Sequence, residues 1–247
     1  MEQYKFKIAG ITDCGKRRET NQDSILTLHK KIKGKECALL AVADGMGGLH
    51  HGERASRLMV SALSEWWNRQ LEVLMDDADF LEIGNSITNV IYQTHIILSN
   101  QEENSGTTIS LMFLCDDRYL TCHAGDSRIY RNCVDKLFQV TTDDTWVYHA
   151  FLNGEISAQE MSEHTYRHAL VNAVGVGERI SVQQSEGTIE NNERYLICSD
   201  GLYNELSNGQ IGEILDTKLS VDKKAETLLS AALSGKAGDN ISIVLVE

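Results

Sequence analysis

Four aspartates share one local setting, because each stands beside a glycine at the boundary of a strand-like apolar run. They are Asp44, Asp126, Asp200 and Asp239, and a fifth, Asp23, closes the first polar loop. An ionised carboxylate at the end of a buried strand cannot stay unpaired, since removing it from water costs several kcal/mol or raises its pKa until it is neutral. One such aspartate is typical of a turn. Several of them, at strand ends that converge, predict a carboxylate cluster that divalent cations must stabilise.

The ligand types indicate which cation such a cluster would bind. Carboxylate, carbonyl and water oxygens suit Mg²⁺ or Mn²⁺, and no compact set of His and Cys residues favours zinc. After Asp44 the glycines Gly45, Gly47 and Gly48 let the backbone approach a cation and offer a carbonyl oxygen. For this stretch alone, a strand-to-helix turn with a capping aspartate is an equally good interpretation.

The first polar loop, D-C-G-K-R-R-E-T-N-Q-D-S, adds the positive charge that phosphate chemistry needs. Two divalent ions about 4 Å apart can activate water and neutralise charge on a phosphoryl group, and Arg18 could hold the phosphate through two parallel hydrogen bonds. A plain solvated loop would look similar. The chain has no phosphate-cradling P-loop, which counts against a kinase or an NTPase.

The periodicity of apolar residues predicts mixed helices and antiparallel strands. A half-buried strand at residues 4–12 and the apolar run before Asp44 are followed by helices over 52–75 and 77–100. Short connections between the next four strands imply hairpins. Residues 142–187 are less regular, with a short helix and a second helix that ends at Gly175. The last third predicts a strand over Tyr195–Cys198, helices over 210–218 and 221–234, and a final strand.

Composition and charge limit the partners. The 247-residue chain carries a net charge of −13, which argues against nucleic acid or an anionic membrane as the main partner. Six cysteines without a Cys-x-x-Cys pair predict reduced thiols. The N-terminus lacks a signal-peptide core and no apolar run approaches the ~20 residues of a membrane span. We therefore expect a cytoplasmic protein.

Six motifs occur in one order along the chain: R-R-E-T-N-Q-D, V-A-D-G-M-G-G-L-H-H-G-E-R-A-S, S-G-T-T, H-A-G-D-S-R-I-Y, L-I-C-S-D-G-L-Y and G-D-N-I-S-I-V-L-V. In these motifs the chain resembles the bacterial metal-dependent serine/threonine phosphatases of the protein phosphatase 2C type. The resemblance covers nearly the whole chain. It implies an α+β fold of four layers, α-β-β-α, in which helix pairs flank two antiparallel sheets. It also implies a single phosphatase domain over residues 1–247, with a flap at about 145–179 beside the site.

The resemblance further implies a role for each site residue. Asp44 is similar to the carboxylate that bridges two catalytic Mn²⁺ or Mg²⁺ ions, with the Gly45 carbonyl on the second ion. Asp200 and Asp239 match ligands of the first ion, and Asp23 matches a water-mediated ligand of the second. Asp126 matches the ligand of a third, weaker ion, shared with Asp200. Arg18 matches the phosphate clamp, so that Asp44, Arg18 and Asp239 would carry the catalysis.

Three positions depart from the family pattern. Met46 replaces the histidine that animal members place between these glycines as the proposed general acid, although bacterial members commonly have Met there. Asp143, Asp144 and Thr145 stand where the family usually reads Asp-His-Ser, and Gln22 stands where many members have Glu.

The function implied is hydrolysis of phosphoserine and phosphothreonine on proteins, by a monomer that opposes a serine/threonine kinase. Two alternatives stay open. One is a pseudophosphatase that only binds phosphoproteins, although such a copy would be expected to lose some of the aspartates. The other is a metal-dependent hydrolase of a small phosphorylated metabolite or of a phosphodiester.

Overall fold

The computed structural model describes residues 6–47, 51–77, 79–101, 105–133 and 136–247. Residues 4 and 5 of the predicted first strand and Gly48 of the glycine turn lie outside the described residues. In chain order the elements are β1 (Ile8–Asp13), β2 (Asp23–Ile32), β3 (Lys35–Met46), α1 (His51–Arg69), α2 (Leu71–Asp77), α3 (Phe80–Ser99), β4 (Gly106–Thr107), β5 (Ile109–Cys115), β6 (Arg118–Ala124), β7 (Arg128–Cys133), β8 (Lys136–Gln139), α4 (Trp146–Leu152), α5 (Ala158–Glu163), β9 (Gln183–Thr188), β10 (Arg194–Cys198), α6 (Asp200–Tyr203), α7 (Asn208–Leu215), α8 (Val221–Ser234) and β11 (Ile241–Val246).

The strands form two sheets, and every strand pair described is antiparallel. One sheet has the order β1-β11-β10-β7-β8, and the other has the order β2-β3-β5-β6-β9, with the short β4 paired to β3. The prediction of antiparallel sheets is therefore confirmed.

Strand β3 shows why the chain stacks into layers. Its side chains alternate between two apolar clusters: Leu40 and Val42 lie in the cluster between the sheets, whereas Leu39 and Ala41 lie in the cluster under α1 and α3. A strand that is buried on both faces must be apolar at every position, which its continuous hydrophobic run satisfies. A third cluster joins the other sheet to α7 and α8. Three apolar interfaces between four layers confirm the predicted α-β-β-α sandwich.

Two helix predictions need correction. The helix expected over 52–75 is interrupted at Gln70, which separates α1 from α2. Two hydrogen bonds continue across the join, from Gln70 N–H to the Trp66 carbonyl at 2.8 Å and from Leu74 N–H to the Gln70 carbonyl at 3.0 Å. Apolar periodicity predicts which face of a helix is buried, but it carries no signal for a one-residue interruption.

The helix expected to end at Gly175 is absent, since residues 168–176 contain no helix. Val174 instead pairs with Thr107, and each donates its N–H to the carbonyl of the other at 2.9 Å. This long-range pairing overrides the local helical pattern. The sequence also missed β9, a largely exposed strand at the edge of its sheet without apolar alternation.

In the described part of the chain, no helix combines the length and apolar character needed to cross a bilayer.

Candidate metal centre

The pairing of strands β2 and β3 brings two of the predicted site residues together. Asp23 begins β2 and lies opposite Asp44 of β3 in the antiparallel register. The strand does not stop at Asp44 as the sequence suggested, because Gly45 and Met46 continue β3 and pair with β4. The carboxylates are therefore held by a continuous sheet rather than by a loose turn.

Gly45 is required by the close approach of two backbone segments. A Cβ built on Gly45 would lie 2.1 Å from the Gly52 carbonyl oxygen and 2.5 Å from that of Gln22. The Gly45 N–H also donates to the Gln22 carbonyl at 3.2 Å. Any larger residue would push the start of α1 or the first loop away from the cavity.

Two serines that the sequence analysis did not assign to the site hold Asp23 in place. The Oγ atoms of Ser199 and Ser242 each donate to Asp23 Oδ2 at 2.7 Å. Ser199 and Ser242 are also linked, because Ser242 N–H donates to Ser199 Oγ at 2.9 Å. These contacts tie the end of one sheet to the other, and they orient the buried Asp23 carboxylate.

Asp200 enters the same region from the other sheet, and Asp126 enters it from the connection between β6 and β7, which joins the two sheets. Asp200 opens α6, directly after β10, and accepts a hydrogen bond from Asn204 Nδ2 at 3.1 Å. Asp126 follows β6, and its backbone carbonyl accepts from the Tyr203 hydroxyl at 2.9 Å. α6 thus connects the two aspartates within one short turn of helix.

Arg18 also lines the cavity and pairs with Asp239. Its Nη2 donates to Asp239 Oδ2 at 2.7 Å, and this hydrogen bond raises the pKa of Arg18, with further contributions from Asp44 and Asp200. The guanidinium is half exposed, so it can be reached from solvent. The sequence analysis placed Arg18 on the phosphate, whereas here it contacts one of the predicted ligands.

Asn240 fixes the loop that carries Arg18. Its Nδ2 donates to the carbonyls of Cys14 at 2.9 Å and Thr20 at 3.1 Å, and its Oδ1 accepts from Gln22 N–H at 2.8 Å. One buried amide therefore closes both ends of the first polar loop onto the start of β11. The sequence analysis included Asn240 only within the motif G-D-N-I-S-I-V-L-V, and it predicted no role for this residue.

The electrostatics show that the carboxylates are close enough to repel one another. Burial raises the pKa of Asp44 well above its usual range, and Asp23, Asp200, Asp126 and Asp239 raise it further. Burial likewise raises the pKa of Asp200, with repulsion from Asp126 and Asp239. The pKa of Asp23 rises to about 6 and that of Asp126 to about 7, in both cases mainly through burial.

All of the predicted residues except Asp23 line one cavity of about 760 Å³, namely Arg18, Asp44, Gly45, Asp126, Asp200 and Asp239. Asp23 is buried and accepts a hydrogen bond from Ser199, the residue that precedes Asp200 in the chain. Side chains that are up to 221 residues apart in the sequence therefore meet at one end of the two sheets.

These residues fit a divalent cation in their chemistry. Asp200 Oδ1 is buried without a hydrogen-bond partner among the described residues, which leaves a carboxylate oxygen that a cation could satisfy. Among the residues described, no three acidic, His or Cys side chains are close enough to form a complete ligand set by themselves. Mg²⁺ does not need one, because it keeps several waters and takes only one or two carboxylates.

The segment predicted as a flap contributes residues that the sequence analysis did not name. Arg167, His168 and Leu170 line the cavity, and His168 Nδ1 lies 3.8 Å from Asp200 Oδ2. Burial and the neighbouring Arg167 lower the pKa of His168. The flap residues therefore border the cluster, although nothing in their local sequence pattern marks them.

Comparison with known proteins relates the chain to a family of phosphatases. A family model described as Protein phosphatase 2C matches residues 12–234. The serine/threonine phosphatase stp of Listeria innocua is 30% identical over 242 residues, which cover 96% of this chain and 93% of that protein.

Solved structures of serine/threonine phosphatases share the fold of this chain. The S. agalactiae serine/threonine phosphatase superposes with a TM-score of 0.90 at 27% identity, covering 98% of each chain. The catalytic domain of the phosphatase PstP, in complex with 2 manganese ions, gives a TM-score of 0.80 at 28% identity, covering 98% of this chain and 97% of that one. With a family model that spans most of its length, the chain belongs to the protein phosphatase 2C family.

Proposed function

We propose that the chain hydrolyses phosphoserine and phosphothreonine monoesters on proteins at a centre of Mn²⁺ or Mg²⁺ ions. The observation that carries this proposal is the buried carboxylate cluster beside an accessible arginine in one cavity. The names of its relatives, which are serine/threonine phosphatases, support the substrate class.

The proposed ligands are the six oxygen donors that the sequence predicted. Asp44, the Gly45 carbonyl, Asp200 and Asp239 would hold two ions, and Asp23 would act through water. Asp126 would hold a third, weaker ion together with Asp200. The two manganese ions of the PstP structure support the assignment of two principal sites.

The metal ions supply Lewis-acid activation of water and charge neutralisation of the phosphoryl group. The residues of the chain position the reactants. Arg18 holds the phosphate oxygens, because a planar guanidinium presents two parallel donors. Ser199 and Ser242 keep the Asp23 carboxylate oriented, and Asn240 keeps the loop of Arg18 against the cavity. Met46 has no proton to give, so it does not protonate the leaving group.

The cellular setting is part of the proposal. A cytoplasmic monomer that opposes a serine/threonine kinase agrees with the six free cysteines and with the acidic charge of the chain.

The test is turnover of a phosphothreonine peptide with Mn²⁺, after exhaustive EDTA treatment, and after Mn²⁺ is restored. We expect phosphate release only when metal is present. Full activity in EDTA would refute the metal-dependent mechanism. A protein that binds the peptide and releases no phosphate with either ion would instead be a pseudophosphatase. Comparison with a small phosphorylated metabolite and a phosphodiester tests the third interpretation.

A further inference from the structure

Three cationic side chains at the cavity have no ionic partner. Arg17, Arg167 and Lys236 line the cavity and are exposed, and none of them forms an ion pair with another residue in the described ranges. Their position beside the carboxylate cluster suggests a role in binding a negatively charged group.

Two of these cations lie on one wall of the cavity. The first loop packs on the segment before β11, since Lys16 N–H donates to the Ala237 carbonyl at 2.9 Å. A Cβ on Gly238 would lie 3.9 Å from Arg17 Cδ. Arg17 and Lys236 therefore belong to the same pair of packed segments, next to Asp239.

Arg167 lies on the flap side. It precedes His168, whose ring lies 3.8 Å from Asp200 Oδ2, and its own N–H donates to the His164 carbonyl at 3.1 Å. Arg167 therefore belongs to a segment beside Asp200, whereas Arg17 and Lys236 belong to segments beside Asp239. Two different parts of the cavity lining thus carry unpaired positive side chains among the described residues.

The other charged groups at this opening are already engaged. Arg18 is paired with Asp239, and the Glu205 carboxylate accepts from Lys236 N–H at 2.9 Å. Glu205 keeps its negative charge, although its Oε2 accepts from the backbone. Apart from the four aspartates, the charged residues that line the cavity are Arg17, Arg18, Arg167 and Lys236 against Glu205, so the formal charge of this part of the lining is positive.

We propose that this phosphatase prefers phosphoproteins with Asp or Glu within a few residues of the phosphorylated serine or threonine. Arg17 and Lys236 bind acidic side chains on one flank, and Arg167 binds them on the other. This inference rests on the proposed function, because it names the class of substrate for the same site. An extended peptide advances about 3.3 Å per residue, so residues within a few positions of the phosphorylated one are within reach of side chains that line the same cavity.

Surface charge pairs contribute modestly, and the effect should be a preference rather than an absolute requirement. We expect a phosphothreonine peptide with Glu on both flanks to be turned over with a kcat/KM roughly three- to tenfold higher than the same peptide with Gln. The ratio should fall toward one at high ionic strength, because salt screens exposed charges.

The decisive measurement is the ratio of kcat/KM for the Glu and Gln peptides in Arg17→Gln, Arg167→Gln, Lys236→Gln and the triple variant. We expect each single change to reduce the ratio and the triple change to abolish it. Lys218→Gln removes the same charge near the Ile8 end of β1, away from the cavity, and should leave the ratio unchanged.

The outcomes separate this inference from the proposed function. If neither peptide is dephosphorylated with Mn²⁺, the proposed function fails. If both peptides are dephosphorylated equally well by the wild-type protein, the phosphatase stands and the acidic preference is wrong. A preference that survives in the triple variant would overturn the assignment to these three residues.

Discussion

Asp23 and Asp44 lie directly opposite each other on the neighbouring strands β2 and β3. Like charges at directly opposed positions destabilise a sheet, and here burial adds to the penalty by raising the pKa of both carboxyls. The pair is therefore stable when it is protonated or when cations neutralise it. The predicted function and the stability of the fold are linked through this contact.

The first prediction concerns the stability of the metal-free protein as the pH changes. Asp23 and Asp126 have pKa values raised from 3.8 to about 6 and about 7, so the folded state holds protons that the unfolded state has lost. Their stabilising contribution is complete below the unfolded pKa and is lost as the pH rises through the folded pKa values. In EDTA, we expect the thermal midpoint to fall by several degrees between about pH 5 and pH 7.5.

A matched pair of variants isolates this effect from other titrating groups. Asp126→Asn should flatten the decrease, whereas Asp222→Asn, an exposed change in the first turn of α8, should leave it unaltered. Mn²⁺ should raise the midpoint more at pH 7.5 than at pH 5, since protons and cations compete for the same oxygens. A midpoint that rises with pH in EDTA would contradict the buried cluster.

The second prediction concerns Asp44→Asn. Because Asp44 is a proposed metal ligand, we expect turnover of an aryl phosphate to fall by about 100-fold or more. The same change removes a buried charge that four other aspartates repel, so the metal-free variant should be at least as stable as the wild type at pH 7.5. Turnover and urea unfolding measure the two effects separately. Loss of activity together with a large loss of stability would indicate a structural role only.

The sequence predicted the parts of the fold that depend on local periodicity. The apolar run of β3 and the amphipathic faces of α1 and α3 follow from side-chain spacing, and the recurring Asp-Gly boundaries predicted the cluster. Contacts that depend on distant segments could not be predicted. The Ser199 and Ser242 hydroxyls reach Asp23 across 176 and 219 residues, and a serine within a strand or just after one carries no mark of such a partner.

The third prediction concerns Asn240→Ala. This buried amide makes three hydrogen bonds to the backbone of the first polar loop, at Cys14, Thr20 and Gln22. Removing it leaves partly buried backbone groups without their partner, at a cost of about 1–3 kcal/mol. The loop also carries Arg18, so we expect KM for a phosphopeptide to increase. Urea unfolding and steady-state kinetics test the two effects.

Asn191→Ala is the matched control for this change. Asn191 is exposed in the turn before β10, far along the chain from the first loop. It should alter neither stability nor KM. An Asn240→Ala protein with unchanged stability would show that the loop does not depend on this amide.

The fourth prediction concerns Arg128→Lys, which tests the connection between Asp143, just before the flap, and Asp126. Arg128 donates to Asp143 from Nε at 3.0 Å and from Nη2 at 2.7 Å. The guanidinium also lies 3.6 Å from the centre of the Tyr203 ring, whose hydroxyl donates to the Asp126 carbonyl at 2.9 Å. Lysine can neither form the bidentate pair nor stack in this way. We expect a loss of about 2–4 kcal/mol in the free energy of unfolding and a higher Mn²⁺ concentration for half-maximal activity.

Arg194→Lys separates the general cost of losing such a pair from the effect on the metal centre. Arg194 is similarly half-buried and pairs with Asp216 and Glu247, away from the cavity. Its replacement should lower stability but leave the Mn²⁺ dependence unchanged, because no contact connects it to Asp126. Equal Mn²⁺ dependence in the two variants would mean that Arg128 stabilises the sheet without supporting the ligand. A shift confined to Arg128→Lys would show that the pair of Arg128 with Asp143, through the stacked Tyr203, supports the position of Asp126.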